Sequence, residues 1–437
     1  MKKVIFCTYG FPGTGGGGTF NLIKYLPRHG YEPIVITNSH KTTEMEERLL
    51  LEHFPAGIKL YRTSAPLKSP FRLFSRFFRS PQLARFLDKC VFFPDFHVMG
   101  VPAGAFKAVR LIRAEGVECI ITSSPPESYH LIGLIAQKQT GCRWIAHFRD
   151  LWTSKEIVNK PATPLHARCL KKLERLVYSR ADHLIANTRG NHDIYAGTFD
   201  VPLDRMTHVP NGYDATEVPD ITAAPFTESP GVFRIGYLGY FDKPGFPWQA
   251  FLLALKKLAA AVGEQTVEFH ITGHVSPVAK AFINRENLNS FVQLHGVMAH
   301  SDAFALVRKT DLLVVLHYET GYSRAIVPHK LYHYLGMCKP ILGVGEETGE
   351  MASIIQEANA GRVVSFSKHN GIFDELSAYY RTWKTKGRIE YHGRKHVVER
   401  YEIQQLTARL AEAITQTVER REFDTELPPD RPSFGME

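Results

Sequence analysis

One lysine at the start of a predicted helix carries the clearest chemistry in this sequence. In Ile326–Gly343, IVPHKLYHYLGMCKPILG, the spacing predicts a short loop, one amphipathic helix and a buried strand. Pro328 marks the helix start, because proline lacks a donor that a first turn cannot use. Lys330 then sets a cation beside backbone N–H groups that already favour an anion, a plausible seat for a phosphate. A second seat lies in the other half of the chain, at Gly13-Thr14-Gly15-Gly16-Gly17-Gly18, between the predicted first strand and first helix. Gly13, Gly15 and Gly18 formally match G-x-G-x-x-G. The glycines begin several residues after the strand, however, and the second strand ends in Thr37-Asn38-Ser39 without an acid for a ribose. The surviving reading is a loop that lets a phosphate or a sugar approach a helix N-terminus, with a plain flexible loop as the alternative.

Other groups are placed for chemistry with less definition. Arg149 and Asp150 follow a predicted strand, where ligand residues of open sheets cluster. They either form an ion pair shaping a site or tie down the following loop. Asn211 either faces a site or caps a turn. The six cysteines (Cys7, Cys90, Cys119, Cys142, Cys169, Cys338) are scattered without a C-x-x-C pair and read as reduced structural thiols rather than zinc ligands. No Asp-x-Asp pair occurs anywhere in the chain, so nothing in it requires a divalent metal.

The elements that must position these residues alternate. The first half reads as strands at 4–8, 33–37, 119–122, 144–147, 183–186 and 206–209, with helices at 19–28, 103–115, 129–139, 165–179 and 189–196 between them. Such alternation predicts a doubly wound, mostly parallel sheet. Residues 215–231 are rich in Pro, Thr and acid without a period and read as a linker. A second series follows, with strands at 233–238, 267–272, 291–295, 312–316, 341–343 and 361–364 and helices at 248–262, 301–308, 350–359, 372–384 and 402–420. At 437 residues, two α/β domains are expected.

The charge of +9 is uneven. Between Lys59 and Lys89 eight basic residues (Lys59, Arg62, Lys68, Arg72, Arg76, Arg79, Arg85, Lys89) face one acid, Asp88, and interleave with phenylalanines and leucines. This is the composition of a basic amphipathic segment that would lie on an anionic membrane surface; the alternative is a core-packing helix pair with a solvated basic side. No nucleic-acid motif accompanies the charge, and nucleic acid is not expected as a partner. No apolar run approaches the roughly 18–20 residues that span a bilayer. The N-terminal MKKVIFCTYGF reads as a first buried strand rather than a signal peptide, so a cytoplasmic protein is expected, peripheral on the inner face of a membrane if the basic segment binds there.

With two phosphate seats on two Rossmann-like halves, the chain resembles GT-B glycosyltransferases, specifically retaining enzymes of the family-four type. In the first half the signs are the Gly-rich loop, Thr122–His130 (TSSPPESYH), His147–Thr153 (HFRDLWT) and Asn211-Gly212-Tyr213-Asp214. In the second they are Ile235–Lys243 (IGYLGYFDK), Ile271–Gly273, Leu294–Met298 (LHGVM) and the Ile326–Gly343 segment, in family order. The resemblance implies an α/β chain of two Rossmann-like domains facing across an interdomain cleft. Residues 1–214 would form an acceptor domain with a basic aromatic insertion at about 59–100, joined through the 215–231 linker to a nucleotide-sugar domain at 232–400. A C-terminal helix at 401–421 would pack back toward the first domain, leaving a 422–437 tail.

The same resemblance implies a nucleotide-diphospho-sugar donor, a glycan or lipid-linked acceptor, retention of configuration and no cofactor. Lys330 and the N–H groups around Pro328, His329 and Lys330 would hold the diphosphate, Lys243 would add a second cation, and Gly16, Gly17 and Gly18 would close on the distal phosphate. Tyr240, Gly273, Val297 and His333 would complete the donor site. His130 matches the family's active-site histidine, and Arg149, Asp150 and Asn211 would lie on the acceptor side. The setting implied is bacterial surface polysaccharide or glycolipid assembly. Four positions depart from the family pattern. His333 stands where a ribose-binding glutamate is usual, Ala325 stands eight positions before it where the paired glutamate is usual, and Tyr240 replaces a common arginine. Glu319, the nearest acid upstream, is out of register. His147 stands where an acid often precedes Phe-Arg-Asp. These departures keep two alternatives open: a catalytically degenerate binding subunit, and an epimerase or hydrolase of the same architecture.

Overall fold

The structure is a computed structural model that describes residues 1–11, 17–38, 58–64, 81–153, 161–218, 231–319 and 323–424. It divides into two compact units: 1–187 with 191–209 and 406–437, and 188–190 with 210–405. The divisions thus fall after Val209 and Gln405, where the sequence suggested 214 and 400, and the chain beyond Gln405 belongs to the first unit.

The N-terminal unit is built on a seven-stranded sheet. Its strands are β1 (Lys2–Cys7), β2 (Tyr31–Asn38), β3 (Lys59–Thr63), β4 (Cys119–Ser124), β5 (Arg143–Phe148), β6 (His183–Ala186) and β7 (Met206–His208). The order is β3-β2-β1-β4-β5-β6-β7 and every pairing is parallel. Its helices are α1 (Gly17–Tyr25), α2 (Pro81–Val91), α3 (Val101–Glu115), α4 (Tyr129–Thr140), α5 (Pro164–Arg180) and α6 (Arg189–Phe199). β4 is buried at every position and β5 at all but Arg143, so both faces of each strand are covered and neither sequence alternates polar with apolar. The strand order reverses between β1 and β4, the place where open α/β sheets bind ligands. The Gly-rich loop follows β1 and Ser124–His130 follows β4.

The C-terminal unit carries a six-stranded parallel sheet in the order β10-β9-β8-β11-β12-β13. Its strands are β8 (Phe233–Leu238), β9 (Val267–Thr272), β10 (Val292–Gly296), β11 (Leu312–Leu316), β12 (Ile341–Val344) and β13 (Gly361–Val364). Helices α7 (Trp248–Val262), α8 (Pro277–Arg285) and α12 (Gly371–Lys386) belong to one apolar cluster, with Phe251, Phe282 and Trp383 against β8 and β9. Helices α9 (His300–Arg308), α10 (His329–Gly336), α11 (Glu350–Glu357) and α13 (Lys395–Val398) belong to a second, with Leu331, Tyr334 and Ile354 against β11. From Leu406 on, the last helix, α14 (Ile403–Asp424), belongs to the N-terminal unit, where the Tyr31 hydroxyl lies 2.6 Å from that of Thr415.

The basic segment needs correction. Lys59–Thr63 is not part of a basic amphipathic insertion but the edge strand β3. The Lys59 amine lies 2.7 Å from Glu115 at the end of α3 and 3.6 Å from Glu32 on β2, so its charge is matched by acids of the same unit. Residues 65–80 lie outside the described residues. Among the described residues no helix is long and apolar enough to cross a membrane.

Candidate functional site

Parallel pairing delivers the site of the C-terminal unit. Leu238 at the end of β8 is level with Thr272 at the end of β9, and Gly296 on β10 pairs with the same Thr272. The chain therefore leaves three neighbouring strands together, and Gly239-Tyr240, Gly273 and Val297 emerge side by side. His317 leaves the end of β11. Two glycines make the approach possible. Gly273 has φ 124°, and a Cβ there would meet the Gly239 carbonyl oxygen at 2.4 Å. Gly239, at φ 95°, donates its N–H to the Thr272 carbonyl over 2.7 Å.

A cavity of about 470 Å3 opens at these strand ends. Its walls include Tyr240, Lys243, Gly273, Val297, Pro328, His329, Lys330 and His333, so eight of the residues singled out from the sequence surround one space. Helix α10 supplies the last three. Its five residues from Leu331 to Leu335 are all buried, so it is enclosed rather than amphipathic, and Pro328 is its N-cap. The Tyr334 hydroxyl accepts the Leu238 N–H at 2.8 Å, pinning the helix to the end of β8.

The Lys330 amine and the His333 Nδ1 in this cavity have no hydrogen-bond partner among the described residues. The Lys330 amine is shut off from solvent, and no acceptor reaches it among the described residues. It sits 3.6 Å from the centroid of the Tyr237 ring, whose own hydroxyl donates to the Tyr240 carbonyl at 2.9 Å. Burial, with the Lys243 charge adding to it, holds the Lys330 amine well below the ordinary lysine range. His333 likewise leaves Nδ1 unsatisfied. Its ring packs edge-on to His329, Phe304 and His300 at 4.7, 4.9 and 5.8 Å. Burial, then His329 and His300, depress its pKa far below the usual histidine value. His317 is lowered to about 4, chiefly by burial and also by Lys243 and Lys330, against a hydrogen bond to the Tyr318 carbonyl. Among the described residues the lining thus contains two lysines and four histidines and no carboxylate. Such a wall is prepared for an anion that brings its own charge and acceptors.

In the N-terminal unit His130 sits on the first turn of α4, fully buried, its ring 4.3 Å from that of Phe148. Its Nδ1 lies 2.9 Å from the Thr122 hydroxyl, which accepts the Trp144 indole N–H at 2.8 Å, while Nε2 has no partner among the described residues. Burial, then His147, lowers its pKa to about 3, so the ring is a neutral imidazole. Gly17 and Gly18 open α1; Gly16 lies outside the described residues. The start of α1 is brought to the end of β4 by the Thr19 and Ser123 hydroxyls, 3.4 Å apart. Arg149 donates to the Ser124 and Pro125 carbonyls at 3.0 and 2.9 Å, which ties the end of β4 to the loop after β5. Asn211 is half-buried in the stretch before Tyr213.

Comparison with known proteins places this arrangement. Residues 16–217 match the model of Glycosyltransferase Family 4. The chain carries a glycosyltransferase family 4 domain. No curated protein matches the sequence. Among solved structures, sucrose-phosphate synthase from Thermosynechococcus elongatus is 14% identical with a TM-score of 0.64, covering 98% of this chain and 100% of its own. A glycosyltransferase from Rickettsia africae ESF-5 is 14% identical at 0.61, covering 97% of both chains. A UDP-GlcNAc 2-epimerase from Neisseria meningitidis, solved bound to UDP-GlcNAc, is 13% identical at 0.58, covering 95% of this chain and 100% of that one. These likenesses show the GT-B fold: an α/β chain of two Rossmann-like units.

Against the family-4 pattern, the acid upstream of His333 is accounted for. The Glu319 carboxylate accepts from the Ser365 and Ser367 hydroxyls and the Phe366 N–H at 2.7–2.9 Å, so it anchors the loop after β13 instead of joining the cavity lining. Two lining residues, His300 and His317, were not singled out from the sequence. Each follows a strand end by a few residues, and that position was the only signal available. Among the described residues no group of three or more His, Cys, Asp or Glu side chains is arranged to hold a metal ion.

Proposed function

We propose that this family-4 glycosyltransferase binds a nucleotide-diphospho-sugar in the cavity at the ends of β8–β11 and transfers its sugar, with retention, to a glycan or lipid-linked acceptor. The observation that carries the reading is the buried Lys330 amine without an acceptor, in a cavity whose charged lining is entirely basic. A diphosphate supplies what the amine lacks. Lys330 and Lys243 would neutralise charge as the bond between the anomeric carbon and the diphosphate oxygen breaks, the largest electrostatic demand of such a step. The acceptor hydroxyl would form the new bond on the same face of the sugar and pass its proton to the departing phosphate oxygen. That route needs no carboxylate pair. His333 would bind a ribose hydroxyl as a neutral imidazole. His130 would meet the transferring sugar through Nε2, with Arg149, Asp150 and Asn211 on the acceptor side.

A second reading is favoured by the fold shared with the UDP-GlcNAc 2-epimerase and by histidine at position 333: chemistry on the nucleotide-sugar alone, without an acceptor. Incubating the protein with a panel of nucleotide-sugars, with and without glycan and glycolipid acceptors, tests both. Nucleoside diphosphate release that depends on acceptor supports transfer. Release into water or an isomerised sugar supports the second reading, and no turnover of any donor contradicts both.

A further inference from the structure

His333 can meet one hydroxyl of a nucleoside's sugar, not two neighbouring ones. A ribose carries such a pair, and each hydroxyl needs a partner once it leaves water. A carboxylate serves the pair because its two oxygens lie side by side. An imidazole does not, because its two nitrogens point away from each other and one ring reaches one hydroxyl. The His333 side chain is 7% exposed, and its Nδ1 is buried without a partner among the described residues. Burial keeps the ring uncharged.

The surroundings add no carboxylate. Phe304 packs edge-on to His333 at 4.9 Å, and Ala303 and Met298 share the cavity lining with it. These side chains bring no hydroxyl, amide or charge to the wall. The acids next to lining residues in sequence are engaged elsewhere. Asp242, beside Lys243, accepts the Ser276 N–H at 3.0 Å and the Ser276 hydroxyl, at the N-cap of α8. Glu319, just beyond Tyr318, holds the loop after β13. The neighbouring imidazoles of His329 and His300 stand edge-on to His333, with ring centres 4.7 and 5.8 Å away.

Resting on the nucleotide-sugar reading above, we propose that the donor is the diphospho-sugar of a deoxynucleoside. The deoxyribose offers its one ring hydroxyl to His333 Nδ1 and turns a methylene toward the apolar side of the wall. A ribose would bury its second hydroxyl there without a partner.

The test is isothermal titration of the full-length protein with UDP, GDP, ADP and CDP, each against its deoxy counterpart. Within a pair the base and the diphosphate are the same and one oxygen differs. The deoxy member of the bound pair should bind about 5- to 10-fold more tightly, the effect of one hydroxyl buried without a partner. His333→Glu supplies two oxygens side by side, and His333→Gln supplies an oxygen and an amide nitrogen without the charge. Each should turn the ratio toward the ribose form, whatever happens to the absolute affinity. Equal or tighter binding of the ribose form by the parent overturns the proposal, since His329 or His300 would then take the second hydroxyl. A ratio unchanged in both variants overturns it as well. Either result leaves the nucleotide-sugar reading standing, whereas failure of every diphosphate to bind the parent overturns both. Should the two variants fail to fold, the ratio measured on the parent decides.

Discussion

Lys330 holds its amine 3.6 Å from the face of the Tyr237 ring, inside a cavity whose described residues offer it no hydrogen-bond acceptor. A buried amine in that state is a liability to the fold, so its retention points to a ligand. Replacing it should therefore separate stability from binding. Lys330→Met removes the charge and keeps the length. We predict a melting temperature equal to or a few degrees above the parent, because an apolar chain suits that site better. Affinity for a nucleoside diphosphate should fall about 10- to 100-fold, the worth of a charge-assisted hydrogen bond. Differential scanning fluorimetry with and without nucleotide checks both, and a large loss of melting temperature would make Lys330 a structural residue.

Binding should also take up a proton. Burial and Lys243 depress the Lys330 amine in the cavity, and a diphosphate would raise its pKa again. A base whose pKa rises on binding contributes full affinity below its free-state value and loses it as pH climbs to the bound-state value. Titrations at pH 8 in two buffers of different ionisation enthalpy should differ by the signature of net proton uptake. Identical heats would mean that the amine is already charged in the free protein.

His333 should act on the nucleoside and not on the phosphates. We predict that His333→Ala weakens a nucleoside diphosphate about 5- to 10-fold, the value of one neutral hydrogen bond, and leaves inorganic pyrophosphate unchanged. Competition by the two ligands reads this directly. Equal losses for both would place His333 against the diphosphate.

Acid should unfold the protein in a defined window. His130 and His147 are lowered to about 3 and His183 and His317 to about 4, in each case chiefly by burial, while unfolded histidine titrates near 6.5. The unfolded chain therefore binds more protons below about pH 6.5. Stability is complete above that value and is lost as pH falls toward the folded values, by up to about 1.4 kcal/mol per pH unit for each residue. Melting curves at pH 7.5 and pH 5 should show a clear drop, and flat melting temperatures across that range would contradict the burial.

Gly273→Ala tests the backbone approach that opens the site. A Cβ would meet the Gly239 carbonyl oxygen at 2.4 Å in a left-handed φ, and we predict a cost of about 2–4 kcal/mol in chemical denaturation. Gly263→Ala, also at positive φ but 3.7 Å from its nearest neighbour, should cost about 1 kcal/mol.

Leu312–Leu316 was legible because a parallel strand covered on both faces is apolar throughout, and Val267–Thr272 because its apolar residues alternate with Glu268 and His270; both were read with the ends they have in the structure. Lys59–Thr63 was missed because an edge strand with two basic residues carries no such run, and its partner Glu115 lies far along the chain. Helix α8 was missed although its N-cap Ser276 and following Pro277 were readable signals. In the site, Lys330 and His333 were legible from one contiguous segment. His300 and His317 were not, because only the shared strand ends of β10 and β11 bring them to the same cavity.

The central claim is that the cavity at β8–β11 is built for a nucleoside diphosphate. Isothermal titration of the full-length protein with the diphosphates of uridine, guanosine, adenosine, cytidine and thymidine tests it most directly. The account predicts that at least one binds tightly and that Lys330→Met abolishes or sharply weakens that binding while the protein stays folded. Failure of every diphosphate to bind the parent, or equal binding by Lys330→Met, would contradict it.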